Sequence, residues 1–358
     1  MNPAENRAAV PVLVLTGFLG SGKTTLLNAM LKQPALAGTA VIINEFGEVS
    51  LDHHLVERAD DGVIELANGC LCCTVRGQLV DTLANLLARD PAPAAIIIET
   101  TGLADPLPVL AAILSAPEIS GQLSFRGLFT VFDAVAGMEA LDRYEEARHQ
   151  IMLADRIILS KTDQSADPAT IKDGLMSFNA AAQILTPAEL LDEIATGDTG
   201  NWLQNLIPVT RRLENDDGHG HHHHHHDVNR HSECICCVTL RSQTPVKRSQ
   251  LDLFLDLMLS AHGDHILRIK GLVDVEGQKR PLLIQAAGRR LSEPEFLPAW
   301  PDGVSGTSLV VFLDGMEPEF VTGLFASATN QPSIDRADHQ ALADNPLTIG
   351  GMRFGGQE

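Results

Sequence analysis

The residues best suited to chemistry begin with the loop from Gly17 to Thr24, which reads Gly-Phe-Leu-Gly-Ser-Gly-Lys-Thr. The loop matches the pattern G-x-x-x-x-G-K-[ST], and it lies between an apolar run and a helical pattern, the context that gives this motif weight. Glycines let the backbone wrap a phosphate closely, and the helix N-terminus offers unpaired N–H groups and a positive dipole end. We expect Lys23 to neutralise the β- and γ-phosphates and the Thr24 hydroxyl to bind Mg²⁺. The residues predicted to bind the nucleotide here are Gly17, Gly20, Ser21, Gly22, Lys23, Thr24 and Thr25.

A second polar segment, Glu99-Thr100-Thr101-Gly102, follows three consecutive isoleucines. An acid at the end of such a strand can hold the magnesium shell together with Thr24, and the Gly102 N–H group can sense the γ-phosphate. Lys23, Glu99 and Gly102 are therefore the predicted catalytic residues. An acid that merely ends a strand remains the alternative.

The segment Ser160-Lys161-Thr162-Asp163 ends another apolar run. A carboxylate such as Asp163 can accept both N1–H and N2–H of guanine, and adenine offers no such pair of donors. The stem of Lys161 can lie on the base. Alone the segment is often only a polar turn, but after a phosphate loop it favours GTP over ATP.

Two tight cysteine clusters contain all six cysteines. Cys70, Cys72 and Cys73 lie between the strand-like run Val63–Leu66 and a helix that starts near Val75. A helix N-terminus lowers a thiol pKa, and thiolates bind Zn²⁺ or the similar ion Co²⁺. Three sulfurs leave one position open, which suits a carrier that releases its metal. Buried structural cysteines or a redox pair remain alternatives.

Other groups offer accessory chemistry. Asn44, Glu45 and Glu48 follow the second strand, where a mobile switch could couple the nucleotide to the metal loop, although a solvated turn is a fair rival. A histidine tract could collect metal or be an artificial tag, and the second cysteine cluster could be a metal site or a buried strand edge. The predicted accessory metal ligands are His219, His221, His222, His223, His224, His225, His226, Cys234, Cys236 and Cys237.

Composition limits the class of protein. The 358 residues carry 26 basic and 46 acidic side chains, a net charge of −20. Such a surface repels phosphate backbones, which argues against nucleic-acid binding. No apolar run has the length of a membrane helix, and the first ten residues do not resemble a secretory signal, so we expect a cytoplasmic protein without membrane contact.

The elements that must position these residues alternate between strands and helices. Predicted strands are Pro11–Thr16, Thr39–Ile43, Ala94–Glu99, Leu128–Asp133 and Arg156–Ser160, and predicted helices include Lys23–Lys32, Val75–Arg89 and Gly137–Ala154. This alternation predicts an α/β domain with a mostly parallel sheet covered by helices. After the histidine tract, strands Cys234–Ser242, Ile266–Val275, Pro281–Gly288 and Ser308–Asp314 with helices Ser249–Ala261 and Glu317–Ala326 predict a smaller α+β domain.

Together these residues resemble the CobW-type GTPase metallochaperones from about Pro11 to about Ala328. The match rests on five segments in the family's order, and in the C-terminal part on Leu267-Arg268-Ile269-Lys270-Gly271. The five segments are Thr16–Leu27, Asn44–Glu48, Gly69–Cys73, Glu99–Pro106 and Ser160–Asp163. Ser160 stands where many GTPases have Asn, which predicts slightly weaker base binding, and the second cysteine cluster is a departure from the family.

The resemblance implies weak intrinsic hydrolysis of GTP, a zinc-like ion at the Cys-x-Cys-Cys motif, and transfer to an apo-metalloprotein client. Composition predicts a His-rich flexible linker over 211–232 and a loosely ordered tail over 331–358. These segments divide the chain into a P-loop GTPase domain over residues 1–210 and a CobW-like domain over 233–330. A homodimer is compatible with these patterns. Two other functions stay open: a metal buffer that uses the histidine tract, and a small-molecule kinase that uses the phosphate loop.

Overall fold

The computed structural model describes residues 9–43, 63–65, 74–119, 121–165, 167–196, 202–206, 235–301 and 304–329. The predicted linker over 211–232 and the predicted tail over 331–358 lie outside these ranges. The domain boundaries that depend on them therefore stay predictions. Within the described ranges the chain forms two β-sheets, each with its own helices.

The first sheet has seven strands, and all its pairings are parallel. Their order across the sheet is β3-β2-β4-β1-β5-β6-β7. The strands are β1 (Val10–Thr16), β2 (Thr39–Ile43), β3 (Val63–Glu65), β4 (Ala95–Glu99), β5 (Leu123–Asp133), β6 (Arg156–Ser160) and β7 (Gln183–Leu185). β1, β2 and β4 are buried along their whole length because helices cover both faces. The carboxyl ends of the strands therefore meet at one edge, where the predicted nucleotide segments begin.

The helices that accompany this sheet are α1 (Lys23–Leu31), α2 (Thr74–Leu87), α3 (Leu107–Ser115), α4 (Gly137–Arg143), α5 (Glu145–Met152), α6 (Pro168–Phe178), α7 (Pro187–Thr196) and α8 (Trp202–Asn205). None of the helices in the described part of the chain has both the length and the apolar character that a membrane span requires. Apolar side chains from α2 and α3, such as Leu83 and Leu110, pack with strand residues in one core cluster.

Two elements differ from the prediction. The helix predicted over Gly137–Ala154 is wrong, because the backbone of Tyr144 is extended, with φ −122° and ψ 126°, and separates α4 from α5. The strand predicted over Leu128–Asp133 begins earlier, at Leu123, and passes through Gly127 at φ 148°. Since glycine adopts that conformation without strain, it bends the strand with an irregular register against β1 rather than ending it.

The second sheet is antiparallel, in the order β11-β10-β9-β13-β8 with β12 beside β10. Its strands are β8 (Ile235–Ser242), β9 (Ile266–Val273), β10 (Leu282–Ala287), β11 (Arg290–Leu291), β12 (Glu295–Phe296) and β13 (Thr307–Asp314), and its helices are α9 (Arg248–His262) and α10 (Pro318–Ala328). Successive residues of β13 face opposite sides: Val311 packs in the core shared with α9, whereas Phe312 packs in the cluster that contains Leu110 of α3. The predicted fold class is confirmed, and the second sheet packs on the first unit.

Candidate functional site

The phosphate loop joins β1 to α1 with a backbone that suits glycine. Gly17, Gly20 and Gly22 have φ angles of 143°, 71° and 96°, which side chains adopt only with strain. A Cβ atom on Gly17 would also collide with the carbonyl oxygen of Val131 in β5. Conformation therefore explains all three glycines and close packing adds a second reason at Gly17, and a backbone of this kind suits phosphate binding.

Three polar residues follow at the start of α1. Nζ of Lys23 donates to the carbonyl oxygens of Gly17 and Phe18 at 2.9 and 3.3 Å, so its positive charge lies over the loop. Oγ1 of Thr24 donates to Oε1 of Glu99 at 2.7 Å. Thr25 is exposed on the next position of the helix.

The Thr24–Glu99 contact joins the two predicted magnesium ligands across 75 residues of sequence. Glu99 is buried at the end of β4, with 5% of its surface exposed. A hydroxyl and a carboxylate are the hard oxygen donors that Mg²⁺ prefers. The chemistry and the proximity of the pair thus fit a magnesium site.

The segment after β4 lies directly against the phosphate loop. Thr100 donates its N–H to the carbonyl of Leu15 at 2.9 Å and its hydroxyl to Oγ1 of Thr16 at 2.7 Å. A Cβ atom on Gly102 would lie only 2.6 Å from Cδ2 and 2.7 Å from N of Leu19. Gly102 is therefore required for this close approach, and a shift of either segment must move the other.

The carboxyl end of β6 reaches the same edge of the sheet. Oγ of Ser160 lies 2.7 Å from the carbonyl oxygen of Ser21 in the phosphate loop and 3.0 Å from that of Phe132. Ser160 thus ties the predicted guanine segment to the phosphate loop. Asp163 is exposed beyond it, where its carboxylate is accessible to a base.

Lys161 has an unusual backbone and an ion-pair partner. Its φ is 55°, a left-handed backbone conformation that residues other than glycine rarely adopt. Its Nζ lies 2.6 Å from Oδ2 of Asp133. Oδ1 of Asp133 accepts the N–H groups of Val135 and Ala136 at 2.8 and 3.2 Å. Burial raises the pKa of Asp133, but these hydrogen bonds and Lys161 outweigh it and hold the pKa below its ordinary value.

Most of the residues predicted to bind zinc or to form the switch lie outside the part of the chain that the structure describes. Lying outside the described residues are Asn44, Glu45 and Glu48, Cys70, Cys72 and Cys73, the histidines His219 and His221 to His226, and Cys234. No cluster of three or more His, Cys, Asp or Glu side chains within the described ranges is arranged to hold a metal ion. Cys236 and Cys237 are described, on β8 at the edge of the second sheet.

Sequence reasoning missed Asp133 and Gln150. Asp133 is the last residue of a strand that the sequence did predict. An acidic residue at the end of a strand beside the phosphate loop could therefore have marked it as a site residue. Gln150 of α5 is buried and donates to the carbonyl oxygens of Gly102 and Ala104. The sequence contains no pattern that identifies Gln150, because a single glutamine in a helix does not predict a contact with a loop 46–48 residues away.

Family models match both units of the chain. The family described as "CobW/HypB/UreG, nucleotide-binding domain" matches residues 11–186. The family described as "Cobalamin synthesis protein cobW C-terminal domain" matches residues 235–329. The two matches coincide with the parallel and the antiparallel sheet.

Relatives extend the similarity over most of the chain. The chain is 29% identical to the zinc chaperone YjiA of Escherichia coli over 335 residues. The aligned region covers 91% of this chain and 99% of YjiA. The fold is similar to the crystal structure of Zn(II)-bound YjiA GTPase from E. coli, with a TM-score of 0.58 and 25% sequence identity. The superposed region covers 90% of this chain and 99% of the YjiA chain. A "Zinc-regulated GTPase metalloprotein activator 1" of Schizosaccharomyces pombe is 33% identical over 196 residues, 52% of this chain and 48% of that protein.

A further relative, the zinc chaperone CobW of a Sinorhizobium species, is 30% identical over 338 residues, which span 86% of this chain and 93% of that protein. The two family matches span the phosphate loop, Thr24, Glu99 and the second sheet. The resemblance found in the sequence is confirmed, and the chain belongs to the CobW family of nucleotide-binding proteins.

Proposed function

We propose that this chain is a GTP-dependent zinc chaperone that delivers its metal to a client metalloprotein. The observation that carries the proposal is the contact of Thr24 with Glu99 beneath a glycine phosphate loop, at the sheet edge that also holds Lys161 and Asp163. Family membership and the names of YjiA and CobW as zinc chaperones support the choice of cargo.

As a member of this GTPase family, the chain hydrolyses GTP to GDP and phosphate. Water attacks the γ-phosphorus and the bond to the bridging oxygen breaks, while negative charge is shared among the phosphate oxygens. Lys23 brings an ammonium to this charge, and the N–H of Gly102 donates to the γ-phosphate. Thr24 and Glu99 would hold a magnesium ion, which would supply further positive charge to the phosphates.

The guanine base is bound at the tip of β6. The exposed carboxylate of Asp163 accepts the two N–H donors of guanine, and the stem of Lys161 lies against the ring. Asp133 holds the Lys161 ammonium through a 2.6 Å contact. Ser160 links this segment to the phosphate loop, so base and phosphate binding share one support.

The zinc cargo is bound by Cys70, Cys72 and Cys73. These residues lie between Glu65, which ends β3, and Thr74, which begins α2. β3 pairs with β2 in parallel, so its carboxyl end lies at the same sheet edge as the phosphate loop. A metal site in this connection is therefore close in topology to the nucleotide, and hydrolysis in this proposal releases the ion to a client.

A competitive zinc titration with GDP and with a non-hydrolysable GTP analogue tests the proposal. We expect one tight site whose affinity depends on the nucleotide and disappears in Cys72→Ser. Equal affinities with both nucleotides would contradict the coupling. Tight binding that survives replacement of all three cysteines by Ser would contradict the metal site.

A further inference from the structure

Gln150 is a buried residue that the proposed mechanism does not use. It lies on α5 with 1% of its surface exposed. Its Nε2 atom donates to the carbonyl oxygens of Gly102 and Ala104 at 3.2 and 3.0 Å. Because a carboxamide nitrogen has two N–H groups, both are used on this one loop.

The support behind Gln150 is rigid. Oγ1 of Thr130 in β5 donates to the main-chain carbonyl of Gln150 at 2.6 Å. Nδ2 of the buried Asn179 donates to the carbonyl oxygens of Ile151 and Met152, each at 2.9 Å. The helix is thus tied to the sheet at Gln150 itself, and to Asn179 at the end of α6 at the next two residues, so the backbone that carries the carboxamide is held in place.

Helix α5 contacts the same loop at a second point, where Nδ1 of His149 lies 3.2 Å from Oδ2 of Asp105. A cavity of about 30 Å³, room for one or two waters, lies between α5 and the phosphate loop and is lined by Leu19, Thr130 and Gln150. On its other side Gly102 contacts Leu19 directly. The hydrogen bonds from Gln150 therefore set how the Gly102 peptide sits against the phosphate loop.

We propose that Gln150 is a positioning residue for GTP: by fixing the carbonyl groups of Gly102 and Ala104, it restrains the Gly102 backbone and so holds the N–H of Gly102, one peptide group earlier, toward the γ-phosphate. This inference rests on the proposed function, in which Gly102 senses that phosphate. GDP has no γ-phosphate, so Gln150 contributes to the affinity for GTP and to the hydrolysis rate and leaves the affinity for GDP unchanged.

The test is Gln150→Met in the full chain, which keeps the length of the side chain and removes its donors. We expect the affinity for a non-hydrolysable GTP analogue and kcat each to fall about tenfold, with the GDP affinity within about twofold of wild type. Glu139→Gln on α4 is the control, since it changes only an exposed ion pair with Arg143. It should leave the ratio of the two affinities unchanged.

Three results would overturn the inference: wild-type behaviour of Gln150→Met, an equal loss of GDP and analogue affinity, or the same change of ratio in Glu139→Gln. If Gln150→Met does not fold, hydrogen exchange of the wild-type segment 100–106 decides instead. Slower exchange with the analogue than with GDP is expected, and equal exchange overturns the inference. A wild-type chain that hydrolyses no GTP contradicts the proposed function itself, whereas a hydrolysing wild type matched by Gln150→Met contradicts only the role of Gln150.

Discussion

Nη2 of Arg268 in β9 lies 2.7 Å from Oδ2 of Asp155, the residue that precedes β6, so the second sheet is bound to the first by a buried ion pair. Nζ of Lys270, two positions along the same strand, lies 2.9 Å from Oδ1. The N–H of Leu128 donates to Oδ2 at 2.7 Å. All three charged side chains are at least 95% buried. One carboxylate thus compensates two cations at the contact between the units.

Asp155→Asn should destabilise the protein by about 3–5 kcal/mol, because two buried cations lose their carboxylate. Burial raises the pKa of Asp155, but Arg268 and Lys270 outweigh it and lower the pKa from 3.8 to about 2. The lowered pKa of Asp155 corresponds to about 2 kcal/mol of folding stability. That contribution is fully present above pH 3.8 and is lost as the pH falls through 2. The wild-type-minus-variant difference in urea unfolding free energy, measured between pH 7 and pH 2, checks both statements.

The control for Asp155→Asn is Glu139→Gln on α4. Glu139 pairs with Arg143 at 2.7 Å, but both side chains are more than 60% exposed. Exposed pairs contribute about 0–1 kcal/mol, so the unfolding free energy should hardly change. A loss from Asp155→Asn no larger than that from Glu139→Gln would contradict the role of the buried pair.

Local patterns in the sequence predicted the parallel sheet and the segments at its edge, because each depends on neighbouring residues. The phosphate loop requires glycines beside Lys23 and Thr24, and the strand before Glu99 is a run of isoleucines. The contact of Asp155 with Arg268 could not be predicted, since it joins residues 113 positions apart on two different sheets. Ser160 is intermediate: the sequence identified its position, but only the fold shows that its hydroxyl reaches Ser21.

Asp133→Asn should lower the affinity for GDP about tenfold, the equivalent of 1.4 kcal/mol. Asparagine keeps the size of the side chain but loses the charge that holds the Lys161 ammonium beside a backbone with φ 55°. The loss should lie mainly in faster dissociation, which a fluorescent GDP analogue measures directly. Glu139→Gln again serves as the control, and a wild-type dissociation rate in Asp133→Asn would contradict the positioning of Lys161.

His149 should make stability depend on pH near neutrality. Its Nδ1 lies 3.2 Å from Oδ2 of Asp105, and its Nε2 lies 3.7 Å from Oε1 of Glu145. The hydrogen bond with Asp105 raises the pKa of His149, burial lowers it, and the charges of Asp105, Glu145 and Asp314 raise it further, so the net pKa lies above 6.5. The stabilisation is therefore complete below pH 6.5 and is lost as the pH rises through the raised pKa.

His149→Gln removes the titrating group and should flatten this dependence. The measurement is the difference in unfolding free energy between wild type and variant from pH 5.5 to 9, together with an NMR titration of the ring. A difference that grows as the pH rises, or a ring pKa below 6.5, would contradict the assignment. Gln150 is adjacent on α5, so nucleotide affinities of the variant should be measured in parallel to show that the helix keeps its contact with Gly102.

The second cysteine cluster should not form the tight zinc site. Sγ of Cys236 lies 3.5 Å from the carbonyl oxygen of Met316, and its side chain packs against the core of the second unit, whereas Cys237 is exposed. Neighbours in a strand face opposite sides of the sheet, and zinc binds thiolates at about 2.3 Å, so one ion cannot bind both while β8 keeps its pairing. Cys237→Ser should therefore leave one tight zinc per chain in a competitive titration with the GTP analogue, whereas Cys72→Ser should abolish it. Loss of tight binding in Cys237→Ser, with Cys72→Ser unaffected, would move the site from the first cluster to the second.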